Sequence, residues 1–406
     1  MGEGASTLMP RDTILQTIEP QWRSISAIVR QNSERVIQAF ADQGASQADL
    51  AGTTGYGYDD RGRQVLDEVV AQAFGADSAV VRALWVSGTH VLVTALKALL
   101  EPGDHLWLAG GRVYDTLRPL LGRDHSQSLG RRGVKVFDVA CDANGQFHPQ
   151  PGTPLPKVVF IQRSRGYSLE PSWDRRLISA MIQDAHRLGA WVLVDNCYGE
   201  FTEVSEPTAW GADLIAGSLL KNPGGGVAPT GGYVAGRREL VDRIADELTA
   251  PTMGREVGPT GSYLRLFAQG FFLAPGIVGE ALMGAAYARA LWHQAGVPVE
   301  PRFDVVHEMI TAIRLGRPDR VEKFCRVVQS LGPMDSRAVP EAWDMPGYDD
   351  KVIMAAGGMI AGGSLELSCD APMRPPYWVY LQGGLSRWHM VMAAERTLQV
   401  LCASLE

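Results

Sequence analysis

Apolar residues recur at helical spacing between positions 11 and 47 (Ile14, Ile18, Trp22, Ile25, Ile28, Val29), which predicts an N-terminal helical arm. From Val65 to about Gly236 the pattern changes to short, nearly continuous apolar runs. Residues 80–86, 105–108, 134–137, 157–161, 191–194, 214–216 and 232–234 are predicted strands, with helical stretches between several of them, for example 173–188. Strands that are apolar on both faces belong to a sheet covered on both sides, so the pattern predicts an α/β fold with a mainly parallel sheet. In such sheets ligands sit at the carboxyl ends of the strands. After Gly261 the pattern changes again. It predicts a long helix over 276–295, a helix over 319–331, strands over 352–355, 364–367 and 378–381, and a last helix over 385–405. The expected organisation is a helical arm and loop (1–64), a large domain (65–262) and a smaller C-terminal α+β domain (263–406).

Composition narrows this picture. A chain of 406 residues is longer than one core usually serves, which agrees with two domains. A net charge of −7 argues against a nucleic-acid partner. The five cysteines form no CxxC pair and read as reduced thiols of a cytoplasmic protein. The eight histidines include no HExxH, so no zinc site is expected. Residues 1–10 are polar and read as a loose terminus without a signal peptide. The apolar stretch 271–292 holds Pro275, Glu280 and Arg289, and reads as a buried helix rather than a membrane span.

Candidate chemistry lies at two strand ends. The apolar run 191–194 ends in Asp195, and the run 214–216 leads through Ser218 to Lys221 and a glycine turn. An acid and a lysine at neighbouring strand ends can share a cavity, as chemistry based on pyridoxal 5′-phosphate (PLP) requires. The lysine forms an imine with the aldehyde, and the acid keeps the pyridine nitrogen protonated so that the ring draws electrons. Taken alone, Asp195 is more often a cap or turn residue and Lys221 a solvated surface cation. Ser87-Gly88-Thr89 opens a predicted helix, where free N–H groups and the helix dipole bind phosphate; the plainer reading is an N-cap by Ser87 or Thr89. Tyr114 follows the run 105–108 and is placed either to stack on a pyridine ring or as a surface tyrosine.

Taken in order, Ser87-Gly-Thr89, Pro102-Gly-Asp-His105, Tyr114, Asp195 and Ser218-Leu-Leu-Lys221 resemble a fold-type I PLP enzyme of the cysteine/methionine metabolism group. Further segments resemble its methionine γ-lyase-like, or aluminium resistance, family. They are Gly55-Tyr-Gly-Tyr-Asp-Asp-Arg-Gly-Arg63, Phe160-Ile-Gln-Arg-Ser-Arg-Gly-Tyr167, Gly254-Arg-Glu-Val-Gly258, Pro372-Met-Arg-Pro-Pro-Tyr377 and Gln382-Gly-Gly384. The resemblance implies an aspartate aminotransferase-like fold and a PLP-dependent lyase that eliminates a γ- or β-substituent from a small amino acid, with sulfur or an unusual group such as halide leaving. It implies Lys221 as the Schiff-base lysine, Asp195 as the partner of the pyridine nitrogen and Tyr114 as the stacking ring. Ser87, Gly88, Thr89 and Ser218 would hold the phosphate, and Arg374 the substrate α-carboxylate. It further implies a homodimer or homotetramer with shared sites, in which Tyr56 or Tyr58 with Arg63 reaches a neighbour's phosphate, the choice between Arg61 and Arg63 staying open; Tyr58 is also a candidate to line the substrate. Leu220 stands where the group often has threonine, and Leu385-Ser-Arg-Trp-His389 departs from the usual sequence. Other PLP reactions (transamination, aldol cleavage, desulfuration) and a non-catalytic PLP-binding role remain alternatives, because the fold hosts many chemistries.

Overall fold

The structure, a computed structural model, describes residues 10–122, 125–170 and 172–402; the expected loose terminus lies almost wholly outside them. The chain forms two compact units. Among the described residues, one comprises 31–122, 125–166 and 173–274, the other 10–30, 167–170, 172 and 275–402. Two helices, α1 (Arg11–Asp42) and α7 (Tyr263–Gln294), contribute residues to both, so the division falls inside helices rather than at linkers.

The first unit is built on an eight-stranded sheet of β1 (Ser78–Arg82), β2 (His105–Ala109), β3 (Lys135–Cys141), β4 (Phe147–His148), β5 (Val158–Gln162), β6 (Trp191–Asp195), β7 (Leu214–Ser218) and β8 (Gly232–Gly236). Their order is β1-β8-β7-β6-β5-β2-β3-β4. The central run β7-β6-β5-β2-β3 is parallel, whereas β8 runs antiparallel to both β7 and β1. Strands β1, β5, β7 and β8 are buried along their whole length, the signature of a sheet covered on both faces. The helices of this unit are α2 (Arg61–Phe74), α3 (Gly88–Leu99), α4 (Arg118–Leu121), α5 (Arg175–Arg187) and α6 (Arg238–Leu248). Leu92, Leu96, Leu99, Leu240 and Ile244 from α3 and α6 pack with Val80, Leu106, Phe160, Leu193 and Val234 of the sheet. Asp60 caps α2, its carboxylate accepting from Arg63 N–H at 2.9 Å, and Gly75 closes the helix in the left-handed region (φ 65°). Arg61 and Arg63 therefore lie in a helix's first turn, where the sequence had suggested loop.

The second unit carries a five-stranded antiparallel sheet, β11-β12-β13-β10-β9, from β9 (Val299–Glu300), β10 (Thr311–Arg314), β11 (Val352–Ala356), β12 (Ser368–Pro372) and β13 (Trp378–Gln382). It packs with α8 (Pro318–Ser330) and α9 (Arg387–Cys402) through Ile313, Phe324, Val328, Ile353, Val379, Val391 and Leu398. Two expectations need correcting here. The strand expected over 364–367 lies instead at Ser368–Pro372, a segment of low β propensity that is held by partners on both sides. The helix expected to begin after Pro275 begins at Tyr263 and carries that proline inside it. Helix α7 is long and apolar enough to cross a membrane, yet 61% of its most apolar window is buried within protein. Close contacts hold its small residues: a Cβ at Gly284 would lie 2.6 Å from the Met390 side chain, and one at Gly279 would lie 2.2 Å from Val29.

Candidate active site

Strands β6 and β7 are parallel neighbours, with Asp195 paired to Ala216. Ser218 therefore stands two residues beyond that level. A turn, with Lys221 N–H donating to Ser218 O at 3.2 Å, brings Lys221 back over the strand ends. The Lys221 amine (Nζ) lies 4.1 Å from the ring centroid of Tyr198 and 5.8 Å from that of Tyr114. Tyr198 follows Asp195 by three positions, and Tyr114 comes from the loop after β2. Helix α3 opens beside these groups. A Cβ at Gly88 would fall 3.2 Å from Cys197 Sγ and 3.4 Å from Ser218 Cβ, so glycine permits the close approach. The fold thus gathers Lys221, Asp195, Tyr114, Gly88 and Ser218, together with Cys197 and Tyr198.

The small polar residues are partly engaged. Ser87 Oγ accepts from His90 N–H at 3.1 Å and is therefore an N-cap. Thr89 Oγ1 lies 2.6 Å from Thr116 Oγ1, and Ser218 Oγ accepts from Leu220 N–H at 3.1 Å. The first intrahelical bond of α3 is Val91 N–H to Ser87 O, so the N–H groups of Gly88 and Thr89 precede the ladder, as anion-binding donors do.

The electrostatics follow from enclosure. Asp195 is 4% exposed, and burial pushes its carboxyl above the ordinary range; Lys221 and the N–H of Cys197 oppose this. Burial raises the Cys197 thiol and the Glu200 carboxyl well above their ordinary values. At Lys221, enclosure pulls the amine down, but Cys197, Tyr198, Asp195 and Glu200 outweigh it and the net shift is upward. An amine, a buried acid, an aromatic face and an open helix N-terminus within one cluster fit the aldehyde, pyridine nitrogen, ring and phosphate of PLP.

The remaining candidates lie elsewhere. Arg63 is turned inward: its Nη1 donates to Gly57 O (2.8 Å) and Gly258 O (2.6 Å), and its Nη2 to Glu256 O (3.0 Å). The Arg63 guanidinium is thus engaged by three carbonyls of its own chain. Arg61 is the exposed arginine of this turn, paired to Asp49 at 2.9 Å. Tyr56 and Tyr58 are 70% and 57% exposed, with ring centroids 5.7 Å apart. Arg374 belongs to the second unit, follows β12 and pairs with Asp350 at 2.9 Å. In the same unit Arg387 is bound to Glu280 and lies over the Trp22 ring at 4.9 Å.

Sequence reasoning left Tyr198 and Arg163 unassigned. Arg163 is a buried hub: Nη1 donates to Asn196 Oδ1 and Gly199 O, both at 2.8 Å, and Nη2 to Glu203 at 2.6 Å. It fixes the turn that carries Cys197 and Tyr198. The available signal was the position of Asn196-Cys-Tyr-Gly199 directly after the candidate acid.

Comparison with known proteins decides the relationship. The family model described as methionine gamma-lyase matches residues 8–402. The chain belongs to the methionine gamma-lyase family. Members of this family are PLP-dependent lyases of fold type I, and the architecture above is theirs. A crystal structure from Listeria monocytogenes, of a candidate cystathionine beta-lyase involved in aluminium resistance, superposes with a TM-score of 0.92. It is 39% identical and covers 96% of this chain and 98% of its own. An uncharacterized protein of Bacillus subtilis (strain 168), YnbB, is 38% identical over 91% of this chain and 90% of its own length. The L-methionine gamma-lyase of Pseudomonas putida is 29% identical over 44% of this chain and 42% of its own.

Proposed function

We propose that this methionine gamma-lyase family member is a PLP-dependent carbon–sulfur lyase that removes a sulfur-bearing γ- or β-substituent from a small amino acid. The observation that carries this reading is the convergence of Lys221 and Asp195 at adjacent parallel strand ends, beside Tyr114 and the opening of α3. PLP, when bound, supplies the electron sink that makes loss of a proton next to the amino group accessible. Lys221 would hold the cofactor and, once released, carry a proton between substrate carbon atoms. Asp195 would keep the pyridine nitrogen protonated, Tyr114 would lie on the ring, and the N–H groups of Gly88 and Thr89 with Ser218 would receive the phosphate. Family resemblance assigns Arg374 to the substrate carboxylate, a task suited to a guanidinium fork. A second copy of the chain would complete the site. The exposed pair Tyr56–Tyr58 favours this, as does Arg61, which now replaces Arg63 in the proposal.

The test is direct. Purified full-length protein is expected to carry visible cofactor absorbance, and borohydride reduction followed by peptide mass spectrometry is expected to place the cofactor on Lys221. Release of ammonia and keto acid is then measured from methionine, cystathionine, cysteine and a γ-halo amino acid, with the sulfur substrates expected to lead. Cofactor fixed to another lysine would reject the site, and a leading halo substrate would reject the leaving group.

A further inference from the structure

One aromatic of the cluster is held against its backbone preference. Asn196 to Gly199 form a tight turn, with Gly199 N–H donating to Asn196 O at 2.7 Å, and Tyr198 occupies its third position with φ +67°. That conformation suits glycine or asparagine; a tyrosine adopts it only where the surroundings over-determine it. Here they do. Arg163 grips the turn at both ends through Asn196 and Gly199, and a Cβ at Gly199 would lie 2.5 Å from Arg163 Cδ. The result of this strained turn is that Tyr198 presents its ring to the Lys221 amine at 4.1 Å, closer than the Tyr114 ring at 5.8 Å.

We propose that Tyr198 is a positioning residue whose ring face seats the Lys221 amine as a cation whenever that amine is not bonded to the cofactor. The inference rests on the lyase reading above. In that reading Asp195 is taken by the pyridine nitrogen and Tyr114 by the ring, which leaves Tyr198 as the partner for a released amine. The titratable groups facing Lys221 are Asp195, Cys197, Tyr198 and Glu200, from β6 and the turn after it, and Tyr114 from the loop after β2. Burial raises both the Cys197 thiol and the Glu200 carboxyl, which disfavours their charged forms. An ammonium over an aromatic face is stabilised by the ring quadrupole, which does not need the phenol hydroxyl.

The experiment uses the full chain freed of cofactor by hydroxylamine and dialysis. Lys221 is labelled with limiting acetic anhydride across a pH series, and each peptide is quantified by mass spectrometry. Tyr198→Phe is expected to label as the wild type does. Tyr198→Leu is expected to label roughly threefold faster or more at any pH below the midpoint, because the amine loses its seat. Tyr198→Asn, which suits the turn, gives the same reading in a variant without added backbone strain. Equal labelling of wild type and both ring-less variants would overturn the proposal, as would a Phe variant that behaves like the Leu variant. The labelling is read without cofactor, so failure to find PLP on Lys221 would count against the lyase reading alone.

Discussion

At Asp195 a carboxylate is enclosed by protein, and the ammonium of Lys221 and the N–H of Cys197 are what favour its charged form. A charge held under those conditions is poised to be matched by a second cation, which in the proposed reading the pyridine nitrogen would supply. Asparagine has the same shape and can accept the Cys197 N–H, yet cannot hold a proton on that nitrogen. Asp195→Asn is therefore expected to retain cofactor, seen in its absorbance, while the elimination rate drops by about a thousandfold or more, some 4 kcal/mol of barrier. A variant with near-normal turnover would remove Asp195 from the role. Asp195 stood out in the sequence as a candidate because an apolar run ends in it, and Lys221 because Ser218-Leu-Leu-Lys221 and a glycine turn follow the next run, a pattern that the family resemblance weighted. Tyr198 did not, because its importance lies in a positive φ and in a ring position set by the distant Arg163.

The element that most changed on going from sequence to structure is the first turn of α2. Glycines and aromatics made residues 52–63 read as a ligand loop, whereas Asp60 ends the loop and starts the helix. Its carboxylate accepts from Arg63 N–H, from Thr53 Oγ1 at 2.5 Å and from Thr260 Oγ1 at 2.6 Å. Burial opposes the charge of Asp60, but these hydrogen bonds and Arg63 outweigh it and hold the carboxyl below its ordinary value. The two arginines of this turn then divide the labour. Arg63→Ala removes two buried hydrogen bonds and one half-buried hydrogen bond to carbonyls and is expected to destabilise the protein by about 3 kcal/mol, read as a drop of several degrees in melting temperature. Arg61→Ala gives up one ion pair that is exposed on the arginine side, while Asp49 keeps its hydrogen bonds from Ser46, and is expected to leave melting nearly unchanged while weakening PLP retention. The reverse pattern would return Arg63 to the phosphate. Elsewhere, periodicity found most helices and the core strands but misplaced the strand now at Ser368–Pro372. A segment reading Ser-Cys-Asp-Ala-Pro has little intrinsic β preference and is drawn into the sheet by β11 and β13.

For the molecule as a whole, the proposed sharing of sites between copies makes a prediction that no single chain can satisfy. Lys221→Ala and Arg61→Ala proteins, each weak alone, are expected to regain part of the activity after mixing and subunit exchange, because some mixed dimers carry one intact site. Activity that stays at the sum of the two parents, or a fully active monomer by light scattering, would reject the shared site. The eight-stranded sheet also acts as a measuring rod. Strand residues step by about 3.3 Å and alternate in facing, so sliding β7 one notch against β6 would carry Ser218 and the approach to Lys221 away from Asp195 and turn β7 inside out. Strand β7 is clamped by a parallel neighbour on one edge and by antiparallel β8 on the other, where Ser218 meets Gly232. The spacing of acid and amine is thereby calibrated by ladder hydrogen bonds along two edges, and any substitution that loosens β8 should be read first as a loss of alignment between two chemical groups it never touches.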